Sequence, residues 1–228
     1  RMLAKQDLSR FDLSTIRHHY HAEFLSVFSK KAPEFEDALR AFGADLFVVV
    51  AYSILPKNIL GVAKFGAVNV HGSLLPKYRG AAPVQRAIAD GLPETGVTVF
   101  RLDEKMDHGP ILAQRMVAID HQDTTASLLE KMVAPGCDAL DDAIHQLLEG
   151  REKDLTQDHA QASGAPKLKK EEGLISTRES IFGSKTDVTL FFLSSNLSAI
   201  GLIGGIPPST SSSLKPVATI IASNSSSW

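Results

Sequence analysis

Two nearly unbroken apolar runs constrain this chain more than any other feature. They are ADLFVVVAY at residues 44–52 and GAVNVH at 66–71. A strand with one wet face alternates polar and apolar residues, whereas a strand covered on both faces reads as continuous Val, Ile and Phe. Both runs are of the second kind, and helical segments flank them. PEFEDALRAF has Pro33 at its start, Glu34 and Glu36 in its first turn, apolar positions at helical spacing, and Gly43 as a stop. ILPKNIL reads as a loop and short helix, and AAPVQRAIADG as a helix ending at Gly91. Helices alternating with doubly buried strands predict an α/β unit around a mainly parallel sheet. Two later strands, TGVTVFRL and PILAQRMVAI, are joined by DEKMDHG and fit an antiparallel or mixed edge. Residues 123–149 predict a helical segment capped by Thr or Asp and broken at Pro135 and Gly136.

Composition narrows the partners. The 228 residues suit one good core and a small second unit. With 24 basic and 26 acidic residues the net charge is −2, so any contact with nucleic acid must come from a local patch. The single Cys137 excludes an internal disulfide framework and a Cys-rich zinc site, and it fits a reducing compartment. His18, His19 and His21 in RHHYHAEF lack the spacing of a metal site and read as polar surface. No signal-peptide pattern opens the sequence, which starts with Arg rather than Met.

The organisation expected is an unassigned segment over 1–32, an α/β core over 33–150, a polar linker over 151–180, and a Ser-rich apolar tail over 181–228. That tail holds 12 Ser in 48 residues and only three charges, Lys185, Asp187 and Lys215. Its uncharged stretch at 188–214 is interrupted by Ser194, Ser195, Asn196, Ser198 and glycines, so no membrane span is expected. It shows neither a strand nor a helix period, and its deletion is expected to leave stability unchanged.

The stretch VNVHGSLLPKYRG suggests a functional site. Residues i and i+2 of a strand face the same way, about 6.6 Å apart. Asn69 and His71 therefore project together from the carboxyl end of a buried strand, where open α/β sheets bind ligands. Gly72 permits an immediate turn, and SLLP offers backbone groups and two apolar side chains as a wall for a flat heterocycle. A histidine that moves protons needs an acid to orient it, and Asp107 in the strand-connecting loop is the strongest candidate. An Asn-His pair can equally satisfy loop backbone groups, Asp107 can be turn chemistry, and Lys77 and Arg79 read singly as solvated charges. Spacing indicates a site without naming its reaction.

The stretches NVHGSLLPKYRGAAPVQRAI, ETGVT and DHGPIL closely resemble the folate-dependent formyltransferases. Asn-x-His, the SLLP loop and an Asp 36 residues after the His match that family's signature. YRGAAPVQ and ETGVT are more similar to the methionyl-tRNA branch than to the glycinamide ribonucleotide branch. The resemblance spans roughly residues 33–176. It implies a partial Rossmann-like core and formyl transfer from 10-formyltetrahydrofolate to the amino group of methionine on initiator methionyl-tRNA, with transfer to a small amine, or a non-catalytic truncated remnant, as the alternatives. It further implies catalysis by Asn69, His71 and Asp107, with Asn69 stabilising an oxyanion. Folate binding falls to Ser73, Leu74, Leu75, Pro76, Ile54 and Leu55. No metal and no membrane contact are implied, and a monomer in a bacterial cytoplasm or a derived organelle is expected. The resemblance does not extend to an opening glycine-containing strand or a basic tRNA-gripping loop within 1–32. Missing early strands would leave the strand leading to Tyr52 bare on one edge. His108 stands where the family usually has a small hydroxyl residue.

Overall fold

The computed structural model describes residues 33–50, 54–169, 172 and, by backbone alone, 218–221. It forms two compact units, residues 1–69 with 197–228, and residues 70–196.

In the first unit, α1 (Pro33–Phe42) buries Phe35 and Leu39 and ends at Gly43, whose φ of 67° suits glycine. Strand β1 (Phe47–Val50) is buried at all four positions, as its unbroken apolar run requires. After the short helix α2 (Lys57–Leu60), β2 (Ala67–His71) pairs parallel with β1, in the register Phe47 to Ala67 and Val49 to Asn69. On its other side β1 pairs in parallel with β5 (Ala218–Ile221), in the register Phe47 to Ala218 and Val50 to Ile221. This corrects two expectations. Part of the Ser-rich tail is a strand, and the edge of β1 expected to be bare is occupied. ATII is rich in β-branched residues, and a four-residue strand is too short to declare a period. Tyr52, Ser53, the N-terminal histidines and the uncharged stretch at 188–214 lie outside the described residues.

The second unit begins inside β2. Helix α3 (Pro83–Ala89) takes Pro83 at its first turn, where the missing N–H costs nothing. Strands β3 (Glu94–Arg101) and β4 (Ile111–Ala118) pair antiparallel, with an irregularity at Val99/Phe100. The expected mixed edge is therefore present beside the parallel pairings.

Helix α4 (Thr125–Glu149) starts in a capping box of Thr124 and Ser127 and closes at Gly150, which has a left-handed backbone. It runs unbroken through Pro135, against the expected break. An interior proline costs about 3 kcal/mol through its lost hydrogen bond and ring clash. The same helix buries Leu128, Leu129, Met132, Leu140, Ile144 and Leu147, each contributing roughly 1.5–3 kcal/mol. Burial outweighs the proline, so the helix bears the defect instead of ending. Leu128, Leu129 and Met132 pack with Val84, Val97 and Val117 into one cluster.

Candidate functional site

Strand β2 ends at His71, which is 7 % exposed. Its Nε2 lies 2.9 Å from the Tyr78 carbonyl oxygen. A carbonyl only accepts, so Nε2 carries the proton and Nδ1 is the nitrogen left for chemistry. The ring also meets Phe100 edge-on, with centroids 6.4 Å apart. Two contacts thus orient the imidazole before any ligand arrives.

The turn after His71 is held from beneath. The Thr98 hydroxyl donates to the Ser73 carbonyl (2.6 Å) and accepts from the Leu75 amide (3.1 Å) and the Gln114 side chain (2.9 Å). Gln114 also donates to the Leu75 carbonyl at 2.9 Å. Thr98 is fully buried, so this saturated hydroxyl fixes the loop where no water competes. The Leu75–Pro76 peptide is cis. Ser73 is 1 % exposed and donates to the Lys77 carbonyl at 2.7 Å. Leu75 packs with Phe100 and Ile111 in the core. Of the two leucines expected to form a wall, only Leu74 is part-exposed. It lies over Gly96, where any Cβ would collide with its side chain and with the Arg115 carbonyl.

Asp107 approaches from the loop between β3 and β4. Its Oδ2 lies 3.8 Å from His71 Nδ1 and accepts the Gly80 amide at 2.7 Å. Asp107 has φ 48°, a left-handed backbone that Asp tolerates better than most residues. The gap to Nδ1 is too long for a hydrogen bond. A carboxylate oxygen therefore lies beside the free nitrogen of a buried imidazole, close enough for charge interaction but not hydrogen-bonded to it. Asn69 lies two residues before His71 on the same strand, 9 % exposed, and by strand period shares its face.

The segment after α4, expected to be a linker, is bound to these loops. Gln157, 4 % exposed, donates to the carbonyls of Asp107 (3.1 Å) and Gly109 (2.7 Å). Its own carbonyl accepts from Arg79 Nε at 3.2 Å. Ser163 Oγ accepts the Tyr78 amide at 2.9 Å, and the Ala165 carbonyl accepts the Ala82 amide at 3.0 Å. A polar stretch looks like a linker in sequence because its bonds go to backbone groups distant in the chain.

Arg79 is likewise no solvated charge. Besides Gln157 it donates to His159 Nδ1 at 2.9 Å. The His159 ring stacks on His108, with centroids 4.1 Å apart, and His108 donates to Asp103 at 2.6 Å. Desolvation first, then the charges of His108, Arg79 and Lys105, hold His159 below the ordinary imidazole range. Tyr78 donates its hydroxyl to Asp90 at 2.7 Å, and that bond pushes its ionisation up to about 12.

Thus His71, Asp107 and the SLLP loop come together in the second unit, and Asn69 shares the His71 strand. Leu55, in the first unit, is core at 3 % exposure, whereas Ile54 is 45 % exposed. Sequence reasoning missed Thr98, Gln114, Tyr78 and Gln157. Thr98 lies within ETGVT, where a polar residue in a buried strand is a usable signal, but nothing local marks Gln157. Among the described residues, no cluster of three or more His, Cys, Asp or Glu could hold a metal, and no helix is long and apolar enough to cross a membrane.

An oriented imidazole facing a carboxylate at the end of a buried strand is an arrangement able to move a proton, set in an α/β fold. The sequence matches the Formyl transferase family over residues 9–144, and the chain belongs to that family. The match starts upstream of Pro33, where the motif resemblance begins.

Methionyl-tRNA formyltransferase of Desulfotalea psychrophila is 48 % identical over 146 residues, covering 64 % of this chain and 45 % of that protein. The chain thus spans about half the length of the curated relatives it matches. The crystal structure of phosphoribosylglycinamide formyltransferase from Bacillus halodurans has 30 % identity and a TM-score of 0.53, covering 60 % of this chain and 74 % of that one. HypX from Aquifex aeolicus, solved with tetrahydrofolic acid, shares the fold. Its TM-score is 0.57 at 17 % identity, covering 72 % of this chain and 28 % of that one.

Proposed function

We propose that this chain transfers the formyl group of 10-formyltetrahydrofolate to the amino group of methionine on initiator methionyl-tRNA. The observation that carries this reading is the buried His71, its Nε2–H given to Tyr78 and its Nδ1 facing Asp107 across 3.8 Å. The amine nitrogen bonds to the formyl carbon and an oxyanion develops. Asn69 donates to that charge from the face it shares with His71. His71 polarises the same centre or moves a proton through Nδ1. Asp107 receives the amine proton, which passes to the folate nitrogen as its bond to the formyl carbon breaks. The SLLP backbone and Leu74 line the folate site, with Ser73, Leu75 and Pro76 setting the loop's shape. Ile54 and Leu55 are assigned to folate on the resemblance alone. Two further features of the reading are a monomer, and a bacterial cytoplasm or a derived organelle.

A second reading is transfer to a small amine, supported by the 30 % identity to a phosphoribosylglycinamide formyltransferase. Identity favours the first reading, at 48 % against 30 %.

Thermal unfolding with and without a stable folate analogue comes first, because a ligand that binds the native state raises its stability. Formyl transfer is then assayed on initiator methionyl-tRNA and on glycinamide ribonucleotide. His71→Ala is expected to lower the rate by roughly 10²–10⁴-fold while unfolding stays cooperative. Retained transfer overturns the catalytic role of His71, and transfer to the small amine alone overturns the substrate.

A further inference from the structure

The catalytic carboxylate sits in a left-handed backbone conformation on the loop that joins β3 and β4. We propose that Gln157 is the positioning residue for Asp107, its side-chain amide locking the 107–109 loop to the Arg79–Gly80 turn. This rests on the reading of Asp107 as proton acceptor.

The amide is used from both ends. Its nitrogen donates to the carbonyls of Asp107 and Gly109, which fixes the loop on either side of His108. Its oxygen accepts both Nε and an Nη of Arg79. The next residue, Gly80, gives its amide to Asp107 Oδ2. Gln157 therefore closes a ring in which the Asp107 backbone and carboxylate are tied to one turn by separate bonds. Freedom to adjust is small, because a Cβ at Gly109 would collide with the Arg101 carbonyl, so the loop already lies hard against β3. At 4 % exposure the amide works where its bonds face no solvent competition. The family match ends at residue 144, so this part of the site is supplied by the segment that follows it.

Gln157→Glu is the sharpest test. It keeps the shape and the acceptor for Arg79 but removes both donors and sets a carboxylate against two carbonyls. Backbone hydrogen exchange is measured on the full chain, along with kcat and KM for formyl transfer. The expected results are loss of protection at the Gly80 amide with β3 and β4 amides unchanged, and a fall in kcat of about 10²-fold at unchanged KM for folate. Unchanged Gly80 exchange, or a rise in KM alone, overturns the proposal. Gln157→Met, neutral and of equal length, serves if the Glu variant does not fold. Loss of cooperative unfolding in both makes Gln157 a purely structural residue and also overturns it. The exchange readout needs no reaction. If the unaltered chain transfers no formyl group but Gly80 loses protection in the variant, the positioning stands and the assigned function fails.

Discussion

His71 Nε2 donates to the Tyr78 carbonyl at 2.9 Å, and Tyr78 presents that carbonyl from a left-handed backbone with φ 58°. A non-glycine residue in that region costs roughly 1–2 kcal/mol. Three other contacts keep Tyr78 there: its amide on Ser163, its carbonyl near Ser73 Oγ, and its hydroxyl on Asp90. The imidazole is thus oriented by a residue whose own conformation is imposed from elsewhere in the fold.

The Tyr78–Asp90 bond has a pH signature. Because the folded-state ionisation of Tyr78 is raised from 10.0 to about 12, chiefly by donation to Asp90, its contribution to stability is intact below pH 10. It is then lost as pH rises through about 12. A spectrophotometric tyrosine titration should show a late-ionising group that is absent in Tyr78→Phe. An identical titration of the variant would show that the bond does not form.

Thr98→Val removes one hydroxyl and strands the Leu75 amide, the Ser73 carbonyl and one Gln114 proton. Each unsatisfied buried group costs about 1–3 kcal/mol, so a loss of roughly 2–4 kcal/mol is expected after partial relaxation. Urea unfolding measures it. A loss below about 0.5 kcal/mol, the level of a neutral surface change, would mean that the SLLP loop does not depend on Thr98.

Gly96→Ala forces a methyl group into the Arg115 carbonyl and the Leu74 side chain. Relief needs Leu74 to shift and β4 to give at the Arg115 carbonyl, at a cost of roughly 1–3 kcal/mol. The expected result is a lower melting temperature together with weaker binding of a folate analogue. Unchanged binding at a lowered melting temperature would separate Leu74 from the ligand site.

Removing residues 217–228 strips β5 from β1 and leaves four paired positions open. Open strand edges invite association. The truncated chain should melt at lower temperature and aggregate more readily by light scattering than the full chain. Equal behaviour would show that β1 needs no partner on that side.

Local pattern told most where the physics is local. The unbroken FVVV of β1 is buried at every position, because continuous apolar character has only one meaning for a strand. Thr124 caps α4, within the Thr or Asp cap that the sequence suggests. Pro135 misled because propensity is a local term of about 3 kcal/mol, and the burial that overrides it depends on what lies opposite. The Ser-rich tail misled for the related reason that a four-residue strand is stabilised by its partner and not by its own period.

At the site, sequence alone determined which chemistry is available. Asn69 and His71 share a strand face because the strand period is two, and Asp107 is the loop acid nearest Gly109. Only the tertiary structure decided which nitrogen of His71 faces Asp107, that Thr98 clamps the loop, and that Gln157, 50 residues beyond Asp107, holds it. These bonds run between backbone and side-chain groups far apart in the chain. A hydrogen bond leaves its trace in the geometry of both partners, and neither partner's neighbours in sequence carry it.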